Sequence, residues 1–200
     1  MITPIVDIRN DDVLQPYPAT PHHKADLRGR NPFDAFLETD KILEKYNYPS
    51  TLAIISTGIE LFPEWVEHIK KNQHRYTIQL HGFQHDYYCN INKISGEHDL
   101  RRAKKHIEET FGVEITHWYM PFGRRRCPDW ADEVCESMGL THDGRVGKIE
   151  VKMWLKTYKN SGVSRSPQLN YHYWHDGQSK AVREIVELTH NINCPTPENN

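Results

Sequence analysis

Leu52-Ala53-Ile54-Ile55 places four apolar residues in a row within Thr51 to Ser56, closed by Thr57 and Gly58. A strand with one wet face alternates apolar and polar side chains, so an unbroken run predicts a parallel strand covered on both faces. Parallel strands need crossover connections, and the flanking segments supply them. Before the run, Phe36, Leu37 and Leu43 stripe a helix over Asp34 to Tyr46, stopped by Tyr48-Pro49. After it, Phe62, Val66 and Ile69 repeat at helical spacing through PEWVEHIKK. Helix and strand alternate, and the expected class is α/β, as a βα barrel or a doubly wound sheet.

The same alternation continues in both directions. Pro4 to Asn10 reads as a first strand, and Tyr76, Ile78 and Leu80 alternate with Thr77 and Gln79 as a central one. Ser95 is placed as the N-cap of a helix through SGEHDLRRAKKHIEETFG, with Leu100, Ala103, Ile107 and Phe111 on one face and Gly112 at its end. Ile115 to Met120 is the next expected strand, and Trp130, Val134 and Met138 stripe a helix closed by Gly139. Strands are expected at Leu140 to Asp143, Val151 to Leu155 and Gln168 to Trp174, and a final helix carries Ala181, Ile185 and Leu188. Gln15 to Pro32, rich in proline and holding His22 and His23, reads as a long loop of the kind that rims a site. With 200 residues and 37% hydrophobic content, one domain over residues 1–190 is expected, and the polar tail 191–200 is expected to be disordered.

Charge and cysteine usage narrow the partners. A formal charge of −2 gives no footprint for nucleic acid or an anionic membrane, and Arg124, Arg125 and Arg126 form either a ligand-facing loop or a solvated basic one. No segment is long and apolar enough to span a membrane, and MITPIVDIR lacks the features of a secretory signal, so a cytoplasmic protein is expected. A cell-wall target would then require delivery by lysis or a phage-type particle. Cys89, Cys127, Cys135 and Cys194 show no C-x-x-C spacing, so reduced thiols are expected, with Cys135 in the core.

The chemistry-bearing stretch is YTIQLHGFQHDYY, Tyr76 to Tyr88, where the central strand runs into His81 and His85. A separation of four puts both imidazoles on one side of a helical turn or tight loop, where they can share a divalent cation. In a chain with thirteen histidines such a pair also arises by chance, so a third ligand is required. Asp11 and Asp12 follow the first strand, and two adjacent acids can divide the work, one binding a cation and the other holding a proton; a turn or helix cap is the competing reading.

Taken in order, IRNDDV, LHGFQH, the Pro121-Phe122-Gly123 turn and YWHDG form a series of strand-end motifs. The series resembles the polysaccharide deacetylase family (the NodB-homology domain, carbohydrate esterase family four) from about Ile5 to Leu188. The resemblance implies a distorted (β/α) barrel in a single domain. It implies Asp11 as catalytic base, Asp12, His81 and His85 as ligands of a divalent metal, zinc or else cobalt, nickel or manganese, and His175 as general acid, with His172 the alternative. Tyr119, Pro121, Phe122, Arg124 and Trp174 fall where the substrate would lie. Trp118, Phe122, Tyr171, Tyr173 and Trp174 either stack on a pyranose or fill the barrel.

Three departures stand out. Gly82 follows the first histidine where the family commonly has serine or threonine. Tyr119 stands where the third motif has an arginine that orients the base, leaving Arg124, or otherwise Arg9, to take its place. The fourth motif has only Asp143 and Trp154 as loose matches. The implied activity is metal-dependent N-deacetylation of an N-acetylated amino sugar or glycan. Two alternatives share the fold: hydrolysis of another small or cyclic amide, and a non-catalytic carbohydrate-binding protein.

Overall fold

The computed structural model describes residues 6–16, 30–122, 127–143, 168–172 and 178–193. Among the described residues six strands, β1 (Asp7–Val13), β2 (Ser50–Ile55), β3 (Tyr76–Gly82), β4 (His117–Tyr119), β5 (Thr141–Asp143) and β6 (Gln168–His172), form one sheet in the order β5-β4-β3-β2-β1-β6. Every neighbouring pair is parallel. The helices α1 (Pro32–Lys45), α2 (Pro63–Lys71), α3 (Lys93–Phe111) and α4 (Ala131–Ser137) alternate with β1 to β5, as parallel pairing requires, and α5 (Gln178–Asn193) follows β6. All six residues of β2 are buried, which is the property that Leu52 to Ile55 foretold. The larger core packs Leu52, Ile54, Ile78 and Leu80 against Trp65, Ile69, Leu100, Ile107 and Trp118. A smaller one joins Val6, Ile8, Leu43 and Tyr48 to Val182, Ile185 and Val186.

The sheet curls. Side chains standing on a flat sheet at β1 and β4 would stay about 14 Å apart, three strand spacings, yet the Arg9 guanidinium lies 4.1 Å from the centre of the Tyr119 ring. This curvature is the barrel-like feature expected from the sequence, and it turns the C-terminal ends of β1, β3, β4 and β6 toward one another.

Several boundaries differ from the sequence reading for local reasons. The first strand runs to Val13 rather than stopping at Asn10, so Asp11 and Asp12 lie within it. The long helix starts two residues before Ser95, because the Asn92 side chain accepts from Ser95 N at 3.0 Å and is itself the cap. Gly112 does end that helix, in the left-handed conformation with φ 64°. The strand expected over Ile115 to Met120 is paired only over His117–Tyr119. The strand at Val151 to Leu155, the loop histidines His22 and His23, Arg124, Trp154, Tyr173, Trp174, His175 and tail residues 194–200 lie outside the described residues, while 191–193, expected in the tail, continue α5.

One buried polar network had no signature in the sequence. Asp40 of α1 accepts from Arg75 Nη1 and Nη2 at 3.3 and 3.0 Å and from the Tyr76 hydroxyl at 2.7 Å, with His68 Nε2 at 2.9 Å. The Asp40 and Arg75 side chains are only 3% and 5% exposed. The network ties α1, α2 and the start of β3 together at the end of the sheet away from the strand mouths. Asp40→Ala leaves the Arg75 charge buried without its carboxylate and is expected to cost about 3 kcal/mol, read as a lower denaturant midpoint with an unchanged slope.

Candidate metal centre and active site

The acidic pair is shaped by a break in β1. Its register with β2 shifts between Asn10 and Val13, and Asp12 takes φ 61°. A bulge of this kind re-aims side chains at a strand end, and aspartate tolerates the left-handed region better than most residues. Adjacent strand residues would otherwise point to opposite faces. Here both carboxylates are buried and serve one mouth, Asp11 at 5% exposure and Asp12 at 1%.

Asp12 is the centre of a histidine cluster. Its Oδ1 lies 3.0 Å from His81 Nε2 and 3.0 Å from His85 Nε2, and its Oδ2 lies 3.6 Å from His172 Nε2. One donor atom from each of Asp12, His81 and His85 falls within 4.8 Å of the other two. His81 sits at the end of β3, and its Nδ1 faces the Tyr119 carbonyl oxygen at 2.5 Å. An Nδ1–H donating to that carbonyl fixes the ring and leaves Nε2 pointing inward as a lone-pair donor. One carboxylate and two imidazoles is a donor set suited to a divalent first-row metal, so the residues fit the ion the sequence implies.

The protonation of the cluster follows from burial and mutual charge. Burial by itself raises the Asp12 pKa, but His85 and His172, with the hydrogen bonds of His81 and His85, outweigh it and hold the carboxyl well below its usual range. Burial opposes charge on His81 too, and there the hydrogen bond to Asp12, the charges of Asp11 and Asp12, and the Tyr119 carbonyl prevail and raise its pKa. A metal entering this site therefore competes with a bound proton.

Asp11 stands beside this cluster with a different partner. Arg9 Nη2 donates to Asp11 Oδ2 at 3.1 Å, and Arg9 Nε lies 2.7 Å from Oδ1. Both side chains are almost fully buried, and the guanidinium is sandwiched onto the Tyr119 ring. Arg9, the second of the two arginines considered in place of the missing one, pairs with Asp11; Arg124, the first, lies outside the described residues. Tyr119 thus serves two roles at once, its ring supporting Arg9 and its carbonyl supporting His81.

The remaining candidates divide. Pro121 is buried, and Phe122, with φ 61°, sets its ring 4.5 Å from that of His85 and stacks on Tyr87 at 3.7 Å with planes 2° apart. A positive φ on a bulky residue is strained backbone of the kind that clusters at functional sites. Trp118 is fully buried core, against the pyranose-stacking alternative. His172, ranked below His175 in the sequence, pairs with Asp11 in the β1–β6 register and reaches Asp12. Tyr87, Tyr88 and Asp99 were not singled out from the sequence: the two tyrosines follow the histidine pair closely, whereas Asp99, on α3, has no local signal. Cys135 is buried, and burial together with Cys127 and Asp132 pushes its thiol up to about 12, so it is inert core as expected.

Similar folds include a CE4 family pseudoenzyme from Bacillus anthracis, with TM-score 0.67 and 9% identity over 94% of this chain and 60% of that one. A family 4 carbohydrate esterase from Streptomyces lividans gives TM-score 0.64 and 12% identity, covering 96% and 91% of the two chains. The peptidoglycan deacetylase PdaC from Bacillus subtilis gives 0.65 and 15%, covering 94% and 84%. These identities establish shared fold, and the chain spans less than two thirds of the first neighbour's length. No curated protein matches it in sequence. The model of the polysaccharide deacetylase family, however, matches residues 33–142, more than half of the 200-residue chain. With an α/β sheet of the CE4 kind and that match, the chain belongs to the polysaccharide deacetylase family.

Proposed function

We propose that the chain is a metal-dependent amide hydrolase that removes the acetyl group from an N-acetylated amino sugar or glycan. The observation that carries this reading is the convergence of Asp12, His81 and His85 beside a second buried acid, Asp11, held by a separate cation. Such a division matches hydrolysis, which needs a Lewis acid and a base side by side. When bound, a divalent ion would polarise the amide carbonyl and make a water more acidic. Asp12, His81 and His85 would hold it. Asp11, oriented by Arg9, takes the proton of the attacking water. A histidine delivers a proton to the departing nitrogen: among the described residues His172 lies beside Asp12, and His175, outside them, is the candidate from the family motif. Phe122, edge-on to His85 and half-buried, forms a wall for the sugar, and Arg124 and Trp174 are assigned to the same groove by sequence position alone.

A second reading has its own support. Tyr119 replaces the third-motif arginine, and a structurally similar CE4 protein is a pseudoenzyme. A protein that binds glycan and metal without turnover is therefore the competing outcome. The test is direct. Protein purified without chelator is expected to hold one divalent ion per chain, zinc by the donor set, and to release acetate from N-acetylglucosamine oligomers. Ammonia or a ring-opened product from small amides would shift the substrate class. Metal and glycan binding with no product would establish the pseudoenzyme, and no metal uptake at micromolar concentrations would sink the site.

A further inference from the structure

His85 needs more support than its neighbour. It lies in the stretch 83–87, outside regular structure, whereas His81 is on a strand with its Nδ1 fixed by the Tyr119 carbonyl. His85 Nδ1 is buried and has no hydrogen-bond partner among the described residues. Its ring packs on Phe122 and its Nε2 faces Asp12, and where the ring sits between them depends on how the loop itself is held.

Both ends of that loop converge on one carboxylate. Asp99 Oδ2, on α3, accepts from Phe83 N at 3.4 Å and from the Tyr88 hydroxyl in a short hydrogen bond. Tyr88 is 1% exposed, and its hydroxyl fills the space beside Gly82: a Cβ at Gly82 would lie 2.6 Å from it and 2.9 Å from the Gln84 carbonyl, on a backbone with φ 112°. Gly82 is thus required where the family commonly has serine or threonine. One turn further along α3, Arg102 lies 3.7 Å over the Phe83 ring, and Phe83 O accepts from Thr57 N at 3.0 Å. Residues 83 and 88 are clamped and His85 is carried between them.

We propose that Asp99, acting with the Tyr88 hydroxyl, is the positioning residue for His85, presetting the loop for metal binding. The inference rests on the metal-site reading above. A carboxylate that holds the residues flanking a ligand from outside the coordination sphere affects affinity through that ligand alone. That dependence gives the test. Cobalt(II) affinity would be measured by visible absorption and chelator competition for the wild type, Asp99→Ala, Tyr88→Phe, His85→Ala and the Asp99→Ala/His85→Ala double variant, with metal-free thermal unfolding alongside. Asp99→Ala is expected to weaken cobalt binding by about 10- to 100-fold, and Tyr88→Phe, which keeps the ring, to weaken it by a smaller factor. The double variant should bind no more weakly than His85→Ala. Equal affinities for the wild type and Asp99→Ala, or losses that simply add in the double variant, overturn the proposal while leaving the metal site standing. If Asp99→Ala fails to fold, Tyr88→Phe decides: unchanged affinity and an unchanged cobalt spectrum overturn it. A wild type that takes up no cobalt fails the metal-site reading itself, a distinguishable result.

Discussion

Replacing Asp11 with asparagine is expected to lower turnover by about two to four orders of magnitude, the scale of a lost general base, with metal content unchanged. Asparagine keeps the size and one acceptor of aspartate but cannot take a proton from water. The metal should be retained because the converging donors belong to Asp12, His81 and His85, and Asp11 faces Arg9 instead. The substitution also leaves the Arg9 charge buried with a neutral partner, so activity must be compared below the unfolding range of the variant. Acetate release per bound ion is the measurement that decides. Loss of metal with unchanged turnover per ion would mean that the two aspartates have exchanged roles.

Removing the Arg9 guanidinium is expected to act on both stability and rate. Arg9→Ala strands the Asp11 carboxylate in a site where only 7% of its side chain is exposed, and breaking a buried pair from one side costs about 3–5 kcal/mol. Against a typical total of about 5–15 kcal/mol, that is a large fraction, read as a lower melting temperature in the metal-free protein. Turnover should fall by about 10- to 100-fold, the usual effect of losing an orienting partner. Lysine keeps the charge but not the planar fork that meets both carboxylate oxygens and lies flat on an aromatic face, so Arg9→Lys should recover only part of the rate. The informative variant is Arg9→Ala with Tyr119→Arg, which moves the guanidinium from β1 to β4. Rescue of rate by this exchange would show that the position of Asp11 is what the cation supplies. If Arg124→Ala lowers the rate as much as Arg9→Ala does, the base is held from the other side and the assignment fails.

A comparison of residues shows which parts of the molecule were legible in one dimension. Hydrophobic period fixed β2, β3, the helices and the parallel α/β class, because burial on one face or two leaves a direct trace in the order of apolar and polar residues. The spacing of His81 and His85 and the adjacency of Asp11 and Asp12 located the candidate site for a similar reason, since each pair is local. Boundaries were less legible. Asn92 and Ser95 are both good caps, and only the backbone path selected Asn92. The end of β1 depended on a bulge that aspartate permits but does not demand.

The choice among long-range partners was settled only by the tertiary structure. Arg9 meets Tyr119 across two intervening strands, and Asp40 collects Arg75, Tyr76 and His68 from other elements. His172 reaches Asp12 because β6 pairs beside β1, about 160 residues away in the chain. Gly82 departs from the family's serine or threonine because the Tyr88 hydroxyl occupies the space a side chain would need. Periodicity reports which face of an element is buried. It carries no information on which buried groups the curl of the sheet brings together, because that is set by strand order and register acting over the whole chain.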